Sequence, residues 1–303
     1  MDRFQEMTVL LAVAEAGSFA AGAKQLGLSP PSVTRAIAAL EQRLGTLLLA
    51  RSTRSVRLTD AGQRYVEDCR RILQELQDAE ELASGSALRP RGNLTVTAPV
   101  LFGELYLIPL IASYLEAHTE VTVNAVLVDR VVNMLDEGID VAVRIGQLPE
   151  GSLTALKVGE IRPVVCAAPG FLDRHGRPQH PNELLDAPIV IAATSVLMTH
   201  WQFITPEGPL TLRPPSRFVV SSNNAALHAA RLGGGFTRVL SYQAAEAVAR
   251  GELEIVLADF ATAPLPIHLL YQDGARLPAK VRSFVAHCAE RLRADTALQV
   301  ANR

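Results

Sequence analysis

The stretch from Ser18 to Arg57 constrains this chain most. Gly17 stops one apolar helical pattern, and Ser18 is placed to cap the next, whose inner stripe is Phe19, Ala20, Ala23 and Leu26. The small residues Ala20, Ala21, Gly22 and Ala23 let another helix come close. Gly27-Leu28-Ser29 reads as a short turn. Ser29 can cap a third helix that begins at Pro30, where the missing N–H of proline costs nothing. That helix sets Val33, Ile37, Leu40 and Leu44 on one face and Pro31, Ser32, Thr34, Arg35 and Ala38 on the other. Two helices joined by a three-residue turn, the second with a small, polar and basic outer face, match the geometry of a helix entering the major groove of DNA. A three-helix bundle with a solvated third helix fits the same pattern equally well.

The following residues separate the two readings. Leu47–Ala50, then Arg51-Ser52-Thr53-Arg54, then Ser55–Leu58 reads as strand, basic tip and strand. From Gln42 to Leu58 there are four arginines and no acid. Arginines at a hairpin tip beside such a helix are placed to clamp phosphates while the helix reads sequence. The net charge of −2 belongs to the whole chain, whereas residues 1–60 carry seven Lys/Arg against five Asp/Glu. Local charge is what phosphate contact requires. The residues expected to meet DNA are Ser29, Pro31, Ser32, Thr34, Arg35, Arg51, Thr53 and Arg54.

At 303 residues, two or three compact units are expected, and the apolar share of 49% supplies their cores. Upstream, Asp2 and Gln5 fit a capping box, followed by Phe4, Met7, Leu11 and Ala14 at helical spacing. Glu6 and Glu15 inside that segment, with no basic region ahead of it, argue against a signal peptide or a membrane span. Downstream, Thr59 can cap a long helix in which Tyr65, Cys69, Ile72, Leu76, Ala79 and Ala83 recur at heptad steps. About 39 Å of helix with so narrow a stripe is expected to pair with a second copy of the chain rather than fold back on a small winged unit. Ser84-Gly85-Ser86, Pro90 and Gly92 then break the pattern.

Beyond Gly92 strands and helices alternate. Strands are expected at 93–98, 121–128, 141–145, 163–168, 218–220, 235–239 and 267–271, and helices at 101–117, 131–137, 224–232, 242–250 and 280–293. Such a series implies mostly parallel sheet with helices on both faces. Ligands of such sheets bind beyond the carboxyl ends of strands. The residues expected there are Pro99, Val100, Arg144, Gly146 and Ser221, with Thr237 inside the following strand and Ser195 lining the second half. Helix N-terminal amides and an arginine favour a small carboxylate, although Arg144 fits a salt bridge to Asp140 or a nearby acid as well. Gly233-Gly234-Gly235 precedes a strand and reads as a tight turn.

The segment GSFAAGAKQLGLSPPSVTRAIAALEQRLGTLLLARSTRSVRLTDAG resembles the DNA-binding domain of LysR-type transcriptional regulators. The family pattern runs through Phe4, Ser18, Phe19, Ala23, Leu26, Ser29, Pro31, Val33, Ile37, Leu40, Glu41, Leu44, Gly45, Arg51, Arg54, Leu58, Thr59 and Gly62. Pro30, Thr34 and Leu49 depart from it, Pro30 standing where the family commonly has a polar residue that reaches DNA. The resemblance continues through LTVTAPVLFGELYLIPLIASYLEAHTEVTV, DRVVNMLDEGIDVAVRIGQL and GGGFTRVLSYQAAEAVARGELEIVL. Ser221 stands where many relatives have asparagine.

The resemblance implies an α/β protein with an N-terminal winged helix–turn–helix and an effector region of two α/β subdomains, like a periplasmic binding protein. Its parts would be residues 1–59 for DNA binding, 60–89 as linker and dimerisation helix, 90–163 with 266–303 as subdomain I, and 164–265 as subdomain II. It implies a regulator that binds double-stranded operator DNA as a homodimer or homotetramer. A small-molecule effector would control it, with RNA polymerase a candidate further partner.

Other classes fit poorly. The seven histidines form no HExxH or other metal-ligand pair, and no GxSxG or phosphate loop occurs, so no enzyme, metal or cofactor is expected. Cys69, Cys166 and Cys288 lie far apart without a CxxC, which suits a reducing cytoplasm better than a disulfide framework. A pure ligand-binding module would have no use for the arginine-rich wing.

Overall fold

The structure, a computed structural model, describes residues 1–51, 56–83, 89–148, 151, 153–193, 199–272 and 277–299. They fall into two units, Met1–Leu88 and Arg89–Arg303.

In the first unit, Asp2 accepts the Gln5 N–H at 2.8 Å while the Gln5 side chain takes the Asp2 N–H, and α1 (Arg3–Ala16) follows. Gly17, at φ 61°, ends it. Ser18 caps α2 (Phe19–Gln25), and Ser29 caps α3 (Pro30–Leu44), which Gly45 ends in the left-handed conformation. Gly22 brings α1 and α2 together: a Cβ there would meet Val13 at 3.0 Å. The core joins Val9, Leu10, Val13, Ala23, Val33, Ile37 and Leu40 to Leu48 and Leu49. Three stripe residues face otherwise than expected, since Phe4 and Leu44 are exposed and Ala20 is as well. In α1 the run TVLLAVA is apolar on every side, so spacing alone cannot choose the inner face.

β1 (Leu49–Arg51) and β2 (Val56–Leu58) pair antiparallel, with Leu49 opposite Leu58 and Arg51 opposite Val56. Glu41 fixes this hairpin to α3, because its buried carboxylate accepts the N–H groups of Leu48 at 2.9 Å and Leu49 at 3.1 Å. Thr59 caps α4 (Asp60–Ala83) by accepting the Gly62 N–H at 2.9 Å. Gly62 itself has no room for a side chain, as a Cβ would lie 2.0 Å from the Leu48 carbonyl. Contrary to expectation, α4 begins as part of the winged unit. Val66 and Cys69 are buried in its core with Tyr65 packed against them, and among the described residues Ile72 and Leu76 further along the stripe are half-buried. The side chains of Ala79 and Ala83, and the break at 84–86, lie outside the described residues.

In the second unit two five-stranded sheets repeat one plan. The first is made of β3 (Gly92–Ala98), β4 (Val121–Leu127), β5 (Val141–Ile145), β6 (Leu153–Ile161) and β14 (Leu265–Gln272), in the order β4-β3-β5-β14-β6. The second is made of β7 (Pro163–Ala167), β8 (Ile189–Ala192), β11 (Phe218–Val220), β12 (Phe236–Leu240) and β13 (Glu254–Val256), in the order β11-β8-β12-β7-β13. In each sheet four strands run one way and one, β14 in the first and β7 in the second, runs against both its neighbours, so the expected mostly parallel sheet carries a single reversed strand. The antiparallel members follow from the chain path. Only Arg162 separates β6 from β7, and residues 257–264 carry the chain back from β13 to β14. A strand arriving directly from the other sheet escapes the long crossover that parallel neighbours require.

Over the first sheet lie α5 (Val100–Phe102), α6 (Ile108–Ala117) and α10 (Ala279–Ala294), which bury Phe102, Leu110, Tyr114, Phe284 and Cys288 against Leu94, Val143 and Leu269. The expected helix at 101–117 is widened to a π-turn at Gly103–Leu107. Pro109 accounts for this, because it lacks an N–H and its ring clashes with the carbonyl four residues earlier. The segment Val100–Ala117 is apolar and long enough to cross a membrane by composition, yet Phe102, Leu107, Leu110 and Tyr114 are core residues of this unit.

The second sheet carries α7 (Pro169–His175) and the hairpin β9 (Trp201–Thr205)–β10 (Gly208–Leu212) on one face, with Trp201 fully buried. On its other face are α8 (Asn223–Arg231) and α9 (Ser241–Ala249).

Residues 131–137 form no helix. Asn133 Oδ1 accepts the Leu135 N–H at 3.2 Å, and Arg130 clasps Glu137 at 2.7 and 2.5 Å, so side chains hold a turn there instead. β6, β8, β9, β10 and β13 were not anticipated from the pattern.

Candidate nucleic-acid interface and ligand-binding region

The outer face of α3 is built as its sequence requires. Ser29 and Ser32 share a hydroxyl hydrogen bond of 2.8 Å, and Ser29 Oγ also accepts the Ser32 N–H at 3.4 Å. Thr34 Oγ1 donates to the Pro30 carbonyl at 3.0 Å. Arg35 leans back along the helix, Nε donating to the Pro31 carbonyl at 3.4 Å and Nη2 to Ser32 Oγ at 3.5 Å. Both contacts are long, and Arg35 is exposed, so its guanidinium is held lightly. Pro31, Thr34 and Arg35 therefore share one exposed face, with Ser29 at its N-terminal end and Ser32 half-buried at its margin. β1 and β2 of the adjoining hairpin bracket the sequence 52–55, but Thr53 and Arg54 lie outside the described residues, as does the Arg51 side chain. Arg57 on β2 is exposed. Behind this face, half-exposed Arg43 contacts Glu6 on α1.

In the second unit, the expected ligand residues separate into three groups. Pro99, Val100 and Gly146 lie just beyond the carboxyl ends of β3 and β5 in the first sheet, and Arg144 is the penultimate residue of β5. Ser221 follows β11 at the corresponding edge of the second sheet and is exposed, while its neighbour Ser222 caps α8 by accepting the Ala225 N–H at 3.2 Å. Thr237 does not join them. It sits near the amino end of β12, opposite Val190 and Cys166, and is fully buried, its hydroxyl lacking a hydrogen-bond partner among the described residues. Ser195 lies outside the described residues.

The local chemistry corrects part of the expected role of these residues. The Val100 N–H at the start of α5 already donates to Asp129 Oδ1 at 3.1 Å, so that helix end holds the protein's own carboxylate. Arg144 Nη2 donates to the Val132 carbonyl at 3.1 Å, and Asp140 accepts the Thr95 N–H at 2.7 Å. Burial moves the Arg144 guanidinium below its ordinary value, and Glu137 opposes that shift. Gly146, at φ 110°, donates its N–H to Pro266 on the returning strand at 2.9 Å.

Some residues of consequence were not singled out from the sequence. Buried Arg238 donates to the carbonyls of His200 and Gln202 at 3.2 and 3.1 Å and lies over the Phe203 ring, and burial pushes its guanidinium down to about 10. An arginine inside the strand FTRVL was the available signal. Asn223, the first residue of α8, is buried with Oδ1 lacking a partner among the described residues. Phe102, Tyr106 and Tyr242 stack within 5.8 Å of one another and join α5 and the π-turn to the start of α9. A concavity of about 620 Å³ lined by Arg174, His228, Arg231 and Gly233 lies at the opposite edge of the second sheet from Ser221. Among the described residues no group of three His, Cys, Asp or Glu side chains could hold a metal ion.

A winged helix–turn–helix joined to a pair of mixed α/β sheets crossed twice by one chain defines a DNA-binding regulator with a ligand-binding module. Comparison with known proteins agrees. Residues 4–63 match the family model described as "Bacterial regulatory helix-turn-helix protein, lysR family", and residues 87–293 match the "LysR substrate binding domain". The chain is 34% identical over 283 residues to the "HTH-type transcriptional activator AaeR" of Escherichia coli (strain K12), covering 93% of this chain and 91% of that protein. It is 32% identical over 291 residues to an "HTH-type transcriptional regulator" of Xanthomonas campestris pv. campestris (strain 8004), covering 95% of this chain and 85% of that one. Among solved structures, CrgA from Neisseria meningitidis, a LysR-type transcriptional regulator, superposes with a TM-score of 0.61 at 28% identity, covering 96% of this chain and 99% of CrgA. The full-length Vibrio cholerae virulence activator AphB gives 0.60 at 25% identity, covering 95% of this chain and 99% of that one. The chain belongs to the LysR family of DNA-binding transcriptional regulators, and its relatives are named as regulators, not enzymes.

Proposed function

We propose that this protein controls transcription in the cytoplasm by holding two or four winged units on an operator, with α3 in the major groove and the wings on phosphates. Ser29, Pro31, Ser32, Thr34 and Arg35 would meet the groove, and Arg51, Thr53 and Arg54 the backbone. The residues 60–89 would couple subunits through the α4 stripe beyond Cys69, in keeping with the half-buried Ile72 and Leu76. Residues 90–163 with 266–303, and 164–265, would act as two subdomains whose relative angle is set by a small molecule. RNA polymerase is the further partner through which a bound operator would be read out.

The effector is a small carboxylate, and the observation that carries this is Arg144. It is a half-buried guanidinium near the carboxyl end of β5 that spends one N–H on the Val132 carbonyl, leaving donors for a planar anion. Asp129 at the start of α5 repels a second carboxylate from that helix end, so the anionic group belongs on the Arg144 and Gly146 side, with Pro99 and Val100 against the rest of the molecule. Ser195 and Ser221 would close over it from the second subdomain. A thermal-shift screen of small carboxylic acids on the full-length chain tests this. A carboxylate that stabilises the wild type and not Arg144→Ala supports the assignment. Equal stabilisation of both, or stabilisation only by uncharged compounds, overturns it.

A further inference from the structure

The tip of α3 is unusual in what it does not offer. Pro30 and Pro31 occupy its first two positions, so neither has an N–H. The next two amides are taken, Ser32 N–H and Val33 N–H both reaching the Ser29 carbonyl at 2.9 and 3.2 Å. The polar side chains of the first two turns, though exposed or, at Ser32, half-buried, are bonded back along the helix as well. Ser29 and Ser32 bond each other, Thr34 bonds the Pro30 carbonyl, and Arg35 rests on the Pro31 carbonyl and Ser32. What protrudes from the tip is two exposed pyrrolidine rings, side by side and apolar. A helix end with no free amide cannot hold a phosphate as such ends commonly do, and its ring carbons cannot donate to N7, O6 or O4 of any base. Only one group on the major-groove edge of the base pairs is apolar, the 5-methyl of thymine.

We infer that Pro30 and Pro31 form an apolar pad that selects a thymine 5-methyl group in each half-site, in place of hydrogen-bond readout from the helix tip. The inference rests on α3 being the reading helix. Both rings are rigid, so contact loses no side-chain freedom, and a proline pad rejects a base edge that must keep a hydrogen bond, because burying that edge leaves it unsatisfied. Arg35 and Thr34, one turn on, remain the polar readers.

The test uses the full-length protein and duplexes recovered by it from a randomised library. Each thymine of the selected half-site is replaced in turn by deoxyuridine, which removes one methyl and leaves pairing intact. The expected result is a position at which binding weakens about fourfold per half-site, as one buried methyl implies. That loss should vanish in P30A/P31A, whose alanines keep the helix start, and P30Q should shift the selected base at that position. If no deoxyuridine substitution weakens binding, or the double variant keeps the full methyl effect, the inference is overturned while α3 stands as the reader. If R35A also leaves the preference for the selected duplex over a shuffled one unchanged, the reading-helix assignment itself falls.

Discussion

Removing Glu41 should loosen the wing from the helix beside it. Its carboxylate accepts two backbone N–H groups, from Leu48 and Leu49, at 2.9 and 3.1 Å, and those two residues are 1% and 2% exposed, so water cannot replace it. Glu41→Ala leaves both donors unsatisfied, at about 1–3 kcal/mol each and so roughly 2–6 kcal/mol for the pair. Glu41→Gln keeps an acceptor and loses the charge, which roughly halves a charge-assisted bond and costs about 1–2 kcal/mol. The two units can be followed separately. The single tryptophan, Trp201, is buried in the second unit, so its fluorescence reports on that unit alone, whereas far-UV circular dichroism includes the helices of the first. In urea, with a slope of about 1–3 kcal/mol per molar, the alanine variant should lower the midpoint of the first unit by on the order of 2 M and leave the Trp201 transition in place. A first-unit midpoint unchanged in the alanine variant would refute the role given to Glu41, and an equal fall in both transitions would refute its confinement to the winged unit.

Two further outcomes are expected. Arg54→Ala should weaken binding to specific and non-specific DNA alike and reduce the slope of log affinity against log salt by about one per subunit; an unchanged slope in a salt titration removes Arg54 from the phosphates. The three thiols should resist modification, because burial pushes Cys69 up to about 11 and Cys166 and Cys288 up to about 12. A thiol reagent at pH 8 should label none of them until the chain is unfolded. Because these groups ionise later in the folded state, their contribution to stability is complete below the ordinary thiol value near 8.5 and declines from there to about pH 12. A midpoint that rises across that range would contradict the burial.

The sequence makes the winged unit legible because its signals are local. Ser18, Ser29 and Thr59 cap helices, Gly17 and Gly45 end them, and Pro30 stands where proline belongs. Spacing failed where composition was uniform, as in α1, and where one residue acts through a distant neighbour. Pro109 converts an expected straight helix to a π-turn, and Asn133 with the Arg130–Glu137 pair replaces an expected helix by a turn. The antiparallel strands of both sheets depend on where the chain crosses, which periodicity does not record. The ligand region was least legible. Whether the α5 end or Arg144 is free for an anion is decided by Asp129 and Val132, residues that lie far from them in the sequence or carry no distinctive chemistry. Thr237 lies inside its strand as the pattern gave it, but it is sealed in the sheet and not open to a ligand.

The central claim is that two copies of the exposed α3 face read DNA together. Hydroxyl-radical footprinting of the full-length protein on its selected duplex tests it most directly. The account predicts paired protections on one face of the DNA, centred one helical turn of about 10 base pairs apart or a multiple of it, both lost in R35A at concentrations that saturate the wild type. A single unpaired protection, or a paired footprint that R35A leaves intact, would contradict it.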